Sequence, residues 1–493
     1  MTDTKEQKKQ QAEKLIRSLK AELGASLGKG KTERALACLA ACSQVLYDYN
    51  QVYTDRELEG AAEAVGNRMR EEHREALEAY EPATGKVLFY DGFGLDSRGV
   101  AKMYLNALLK NGYRVIYLIP ETSRGNMPET EEILRGKDAV LYSYPRDSFG
   151  QWAEALAGIF LKEQPKAMLF YTTPYDASGA AAFAMMRGKA ERFLIDLTDH
   201  AYWLGAGSND FFLGSREMSA SNQLYGRGIS REKLIKLGVN LMVDEAEDPA
   251  GLPFDPEKTR YVFSGGELYK TLGDAENTYY RIVDHLLEGH PDLYFLYAGS
   301  GDDREMKKIT GKYSGRAFRV PERKDFYSLI RHSVFYLNTY PMFGGMMMKY
   351  AAHCGRLPLT LRHENDSDGL LVDQESREIE YDTAGELMAD ADRLLTDADY
   401  LAAREKKLEG STISEERFVK NLRGALEEHR TDYDHRYSRM DTARFQEEYL
   451  ERFDPAAEAE KLTKARYRSI IPRVPELRKA AAGKIFRRML RRG

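Results

Sequence analysis

Val334-Phe-Tyr-Leu-Asn-Thr-Tyr-Pro-Met-Phe-Gly-Gly345, continuing through Met346–Met348 to Gly355 and then Leu357-Pro-Leu-Thr360, is the stretch on which the fold turns. It reads as an apolar strand, a tight turn, a glycine pair opening a helix, a glycine closing that helix and a second apolar strand. A helix that starts on two glycines leaves backbone N–H groups bare at the positive end of its dipole. Such an end binds phosphate or diphosphate. Gly344 and Gly345 also admit a plainer reading, a tight turn needing positive φ. The strand before and the helix after them favour the anion site.

Upstream, strands and helices alternate: Tyr261–Phe263, the helix Asn277–Glu288 with Tyr279, Ile282, Val283 and Leu286 inward, Leu293–Tyr297, Gly299-Ser-Gly301, Ala317–Val320 and the helix Lys324–Arg331. The same alternation runs earlier through Val87–Tyr90, Gly99–Lys110, Val115–Leu118, Ala139–Tyr142, Trp152–Leu161, Ala167–Tyr171, Ala177–Met186, Phe193–Asp196 and Phe211–Leu213. Strands spaced by helices imply parallel sheets covered on both faces. Residues 1–80 have apolar positions at helical spacing (Leu15, Leu19, Leu23, Leu36, Leu39, Leu46) and read as a helical N-terminal extension. Residues 81–252 read as a first Rossmann-like domain and 253–425, opened by the linker Pro253-Phe-Asp-Pro256, as a second; 426–493 read as C-terminal helices ending in a basic tail. The expected class is α/β: two doubly wound domains facing a cleft, with helical extensions at both ends.

Composition bounds the function. The 493 residues exceed one ordinary domain, and a net charge of −5 argues against a nucleic-acid-binding body. Cys38, Cys42 and Cys354 offer neither a metal spacing nor a disulfide framework, which fits a reducing compartment. Met1–Gln11 lacks the apolar core of a signal peptide, and no run approaches a membrane span. The expectation is a cytoplasmic enzyme.

Two Rossmann-like halves with a glycine-opened diphosphate helix in the second resemble a GT-B glycosyltransferase. The second half is most similar to the O-GlcNAc transferase type and to related soluble bacterial transferases that glycosylate proteins or polysaccharides. Phe263-Ser-Gly-Gly-Glu-Leu-Tyr-Lys-Thr271 resembles the family segment that ends in a donor-diphosphate lysine, here Lys270. Val320-Pro-Glu-Arg-Lys-Asp-Phe326 sits where the family lines the nucleotide base, and Leu337-Asn-Thr339 with Gly344-Gly345 matches the strand end and diphosphate turn. Ile195-Asp-Leu-Thr-Asp-His-Ala-Tyr-Trp-Leu-Gly205 resembles a first-half segment of bacterial members. The resemblance covers roughly residues 85–425 and is strongest over 260–360. It departs from the family after the glycine turn, where Met346, Met347 and Met348 replace hydroxyl side chains, and at Tyr350, near which a ribose-binding carboxylate is usual. The Glu-x7-Glu pair of retaining enzymes reads Met342 and Tyr350 here, which implies an inverting enzyme.

The resemblance implies a donor site of Lys270, Gly344, Gly345, Met346, Thr339, Tyr350, Arg323 and Phe326. Lys270 reads alternatively as a helix-start lysine, Arg323 as part of a solvated charge run and Phe326 as core rather than a base-stacking ring. The methionine run reads as helix-face packing. For the base that takes the acceptor proton, His200 beside Asp199 lies past a strand end, where such sheets place their ligands, and imidazole titrates near neutral pH. A structural histidine satisfied by backbone is the plainer reading. Asp91 is an alternative base, or a turn-forming Asp-Gly, and Gly92 and Gly94 would let an acceptor approach the backbone. Asp302-Asp303 and Asp366-Ser-Asp368 lie in polar loops, so neither cofactor nor metal is expected.

In the tail 473–493, eight Lys/Arg face a single Glu476, and Leu477, Ala481, Ile485 and Met489 form one stripe beside Ala482, Phe486 and Leu490. This reads as a helix docked on protein, or as one lying on an anionic membrane at the inner face. The functional expectation is metal-independent transfer of a sugar from a nucleoside-diphosphate donor, UDP first, to a protein or glycan. The alternative is a non-catalytic GT-B-shaped subunit that binds an acceptor or partner enzyme. A nucleotide-sugar epimerase is the third reading, disfavoured by the lack of evident paired carboxylates.

Overall fold

The computed structural model describes residues 4–241, 243, 251–272, 274–362, 371–439 and 441–490, with backbone alone at 444 and 488–490. Asp366, Asp368, Arg491, Arg492 and the side chains of Arg488, Met489 and Leu490 lie outside the described residues. The chain forms two compact units, Met1–Leu237 with Phe418–Gly493, and Gly238–Arg417.

The first unit holds seven strands: β1 (Ala83–Asp91), β2 (Arg114–Pro120), β3 (Ala139–Tyr144), β4 (Pro165–Tyr171), β5 (Glu191–Ile195), β6 (Phe211–Gly214) and β7 (Leu234–Lys236). They lie in the order β3-β2-β1-β4-β5-β6-β7, every pair parallel, with Val87 opposite both Val115 and Ala167. Val87 to Asp91 are buried throughout, as a strand covered on both faces requires. The helices Lys5–Gly28, Thr32–Tyr49 and Arg56–Glu72 form the N-terminal helical extension and pack into this unit. Their Leu15, Leu19, Leu36 and Leu39 share one core with Leu88, Ile116 and Phe183. The returning segment adds Leu462, Tyr467 and Leu477 to the same core. Each such aliphatic side chain contributes about 1.5–3 kcal/mol when taken out of water.

The second unit holds β8 (Tyr261–Gly265), β9 (Tyr294–Ala298), β10 (Ala317–Val320), β11 (Tyr336–Leu337), β12 (Pro358–Leu361) and β13 (Glu380–Tyr381). Their order is β10-β9-β8-β11-β12-β13, again all parallel, with Phe263 opposite both Leu296 and Tyr336. The helix Thr278–Gly289 buries Tyr279, Ile282, Val283 and Leu286, the face read from the sequence. Counted from its own first strand, each sheet runs 3-2-1-4-5-6, and the first adds a seventh. In such sheets ligands bind beyond the carboxyl ends of the strands where the order reverses, here between β1 and β4 and between β8 and β11. β7 and β13, strands of three and two residues, are absent from the strands expected above because they are too short to show a period.

Candidate functional site

In the second unit the carboxyl ends of β8 and β11 carry the glycine turns. Gly266 (φ 133°) leads from β8 into a 3-10 turn, Leu268–Thr271, that holds Lys270. Leu268 N donates to Ser300 O at 2.8 Å, and Tyr297 Oη donates to Gly266 O at 3.0 Å. A Cβ on Gly299 would meet Gly266 O at 1.9 Å, so this approach of the two loops needs glycine. Met342 N donates to Lys270 O at 3.1 Å, which fastens the lysine turn to the loop after β11. The two segments singled out in the sequence are thus brought together.

The helix Gly345–His353 starts from Gly344 with no side-chain cap. Gly344 N, expected to be bare, is not: it donates to Asn338 Oδ1 at 2.9 Å, and Thr339 N donates to the same oxygen at 3.0 Å. Asn338 is held in turn, since its Nδ2 donates to Thr360 Oγ1 at 3.1 Å. The N–H groups of Gly345, Met346 and Met347 find no partner among the described residues. Met346 is 44% exposed, so these amides open outward. The glycine pair therefore has divided roles. Gly344 fits tightly against Asn338 and Tyr336, while Gly345 and Met346 present the amides.

The remaining expected donor residues are placed as follows. Thr339 is buried and its Oγ1 donates to Met342 O at 2.7 Å, shaping the turn from inside. Arg323 forks onto Asp325, at 2.7 and 2.5 Å, and this hydrogen-bonded pairing raises its pKa. Phe326 meets Tyr350 edge-on with ring centroids 4.8 Å apart, and both are half-buried against the core. Burial raises the Tyr350 phenol.

In the first unit, His200 rides on the loop after β5. Its Nδ1 lies 3.4 Å from Asp199 Oδ1, and its ring is flanked by Phe445 and Tyr449, with centroids at 6.3 and 6.1 Å. The His200 side chain is 35% exposed, whereas Asp199 is nearly buried. Arg216 grips Asp199 through Nε and Nη2, the latter 2.8 Å from Oδ1. Burial works to raise Asp199, but Arg216 and the His200 hydrogen bond outweigh it and hold the carboxyl well below the usual range. Asp196, three residues earlier, shifts the other way, raised by burial and then by the charge of Asp199. It accepts from Ser219 Oγ and Gln223 Nε2, both at 2.7 Å. Two carboxylates with opposed shifts therefore do stand together here, a pair the sequence reading did not see.

The loop that carries them is clamped from several sides. Arg227 donates to Thr198 O and Ala201 O while stacking over Trp203 at 4.4 Å. Asn50 Nδ2 donates to His200 O at 3.0 Å and its Oδ1 accepts from Tyr202 N; Glu59 accepts from Gly205 N and Gly207 N. The N-terminal helices, which carry no evident chemistry in sequence, thus position the His200 loop.

Asp91 is fully buried. Its Oδ1 takes Phe93 N and Gly94 N, both at 2.9 Å, and its Oδ2 takes Tyr117 Oη at 2.6 Å, so it builds its own loop. A Cβ on Gly92 would meet Thr172 Oγ1 at 1.8 Å, and one on Gly94 (φ 59°) would meet Ser123 Oγ at 2.3 Å. These glycines permit close internal packing. Asp302 pairs with Arg304 and Asp303 with Arg319. Among the described residues no three His, Cys, Asp or Glu side chains group as metal ligands, and no helix is long and apolar enough to cross a membrane. The helix Pro475–Leu490 buries Leu477, whereas Ile485 and Phe486 are 56% and 63% exposed, so the stripe is docked at one end only.

No protein-family model matches the chain, and no curated protein matches it. Solved structures do. A Listeria monocytogenes protein designated a UDP-N-acetylglucosamine 2-epimerase shares 12% identity at a TM-score of 0.51, covering 70% of this chain and 97% of its own. The lipopolysaccharide outer core galactosyltransferase WaaB, in its apo form, shares 11% at 0.51, covering 70% and 99%. The O-GlcNAc transferase of Thermobaculum terrenum shares 16% at 0.48, covering 86% and 83%. The chain has the GT-B fold.

Proposed function

We propose that this chain is a glycosyltransferase that moves a sugar from a nucleoside-diphosphate donor, UDP-sugar first, to a protein or glycan hydroxyl. The observation that carries this is the set of unpartnered amides of Gly345, Met346 and Met347, at the reversal point of the second sheet and fastened to the Lys270 turn. Amides at a helix N-terminus, with the lysine-bearing turn fastened to the loop before them, suit a diphosphate leaving group, whose charge grows as the sugar departs. In the first unit, His200 is the base. Its Nδ1 faces the anionic Asp199, which leaves Nε2 to take the proton of the acceptor hydroxyl. The acceptor oxygen bonds to the anomeric carbon as the bond to the diphosphate oxygen breaks, inverting that centre.

Isothermal titration with UDP tests the site: Lys270→Ala should weaken binding about tenfold or more. Binding that is tight and indifferent to this change removes the proposal. The inward-turned Thr339 hydroxyl favours a rival reading as a non-catalytic subunit, because it leaves the phosphates without a hydroxyl contact. Release of UDP from a panel of UDP-sugars by the purified chain excludes that rival. The exposed Ile485 and Phe486 beside Lys484 and Arg487 support peripheral contact with an anionic membrane. Co-sedimentation with phosphatidylglycerol vesicles that survives Phe486→Ala unchanged would remove this contact.

A further inference from the structure

A second polar site lies in the first unit, apart from His200. The loop after β3 and the turn Lys464–Arg468 border an open pocket of about 520 Å3 lined by Arg146, Asp147, Lys464, Ala465, Arg466 and Arg468. Four cations face one carboxylate, an excess of three positive charges. None of the four is in an ion pair among the described residues. Arg466 Nε is buried and has no hydrogen-bond partner, a costly state for a guanidinium unless something else accepts from it.

The pocket is built rather than splayed. Tyr467 at the centre of the turn is buried, its Oη donates to Gln44 Oε1 at 3.1 Å, and its ring packs on Phe149 at 5.4 Å. Arg146 stacks over Trp152 at 4.4 Å and donates from Nη1 to Gly92 O at 3.1 Å, which ties the pocket to the carboxyl end of β1. From His200 a run of half-buried rings leads toward it: Tyr449 at 6.1 Å, then Tyr47 at 6.3 Å, then Tyr175 at 6.1 Å. Tyr175 feels the charges of both Arg466 and Arg146. Aromatic faces suit sugar rings, and clustered guanidinium groups suit phosphate.

We propose that this pocket binds a phosphate group carried on the acceptor, so that the acceptor is a phosphate-bearing glycan whose sugars lie along the tyrosine run toward His200. This rests on the glycosyltransferase reading for its direction, though the anion pocket itself does not. The test is isothermal titration of the full chain with glucose 6-phosphate, glucose and inorganic phosphate. Glucose 6-phosphate should bind more tightly than either of the others. Its affinity should fall about tenfold in Arg466→Gln and in the exposed Arg468→Gln, which keeps the test open should the first variant fold poorly, and should be unchanged in Lys270→Ala. UDP affinity should be unchanged in both pocket variants. Loss of binding in Lys270→Ala alone, indifference to the pocket variants, or absence of binding overturns the pocket. Equal affinity for inorganic phosphate overturns the glycan. If glucose 6-phosphate binds as expected while UDP binds nowhere, the glycosyltransferase reading fails and the anion pocket stands.

Discussion

The two sheets share one strand order, and the chain treats their reversal points in opposite ways. In the first unit the helix after the fourth strand, Ala177–Met185, is capped by its own carboxylate: Asp176 Oδ1 accepts from Gly179 N at 2.8 Å. Its Oδ2 takes Tyr90 Oη at 2.5 Å and Thr172 Oγ1 at 2.8 Å, and Gly92 packs directly on Thr172. In the second unit the helix at the same topological position, Gly345–His353, begins on glycine and leaves three amides without partners among the described residues. The first unit fills this position with its own carboxyl group, where the second leaves room for an external anion. Topology sets where a ligand can bind, and a single capping residue decides whether it does.

On the proposed function, donor binding falls to the second unit and acceptor chemistry to the first, and the largest predicted effect tests that proposal. His200→Gln should lower kcat about 10²–10⁴-fold, the usual worth of a positioned base, while UDP affinity stays at the wild-type value. Steady-state kinetics beside a UDP titration separates the two quantities. A variant with wild-type kcat would return His200 to the role of a packed loop residue and move the base elsewhere.

Much of the architecture was legible because both sheets are parallel and covered on both faces, which writes each strand as a continuous apolar run. Val115–Leu118 and Leu293–Tyr297 stand out for that reason. The Lys270 turn and the glycine pair were legible because their signals are local. Contacts made at a distance were not. Arg216 lies 17 residues from the Asp199 it grips, and Glu59 lies 146 residues from the Gly205 amide it accepts. The loss of Gly344 N to Asn338 was hidden for another reason, since an asparagine at a strand end looks the same whether it caps, turns or binds. Asp91 shows the converse error: a strand-end carboxylate looks catalytic until Phe93, Gly94 and Tyr117 are seen to occupy it.

The built-in carboxyl group of the first unit predicts the next largest effect. Asp176→Ala removes a cap and strands the buried Tyr90 hydroxyl and the half-buried Thr172 hydroxyl, and should cost about 2–4 kcal/mol in urea unfolding. Asp176→Asn keeps the acceptor for Gly179 and should cost much less. Burial raises the folded pKa of Asp176 above its unfolded value near ~3.9, so its contribution is complete below that pH and is lost as pH rises through the folded value. The asparagine variant, which cannot ionise, should therefore gain on wild type as the pH rises above about 4. A gap that narrows in the other direction would show that the carboxylate is stabilised as an anion, contrary to its surroundings.

The amides of the second unit can be removed one at a time without removing the helix. Gly345 is the first helical residue, where proline is accepted because its fixed φ suits the helix and its missing N–H is one the helix does not use. Gly344 at φ −97° and ψ 78° lies outside the α region that a following proline disfavours. Gly345→Pro thus deletes a single donor. If that donor meets a diphosphate, UDP affinity should fall about 10–100-fold, the worth of one hydrogen bond to a charged group. Gly345→Ala, which keeps the amide, should bind UDP nearly as the wild type does. Equal losses in the two variants would mean that the glycine serves shape alone, and the contrast between the two reversal points would then lie in packing rather than in the handling of charge.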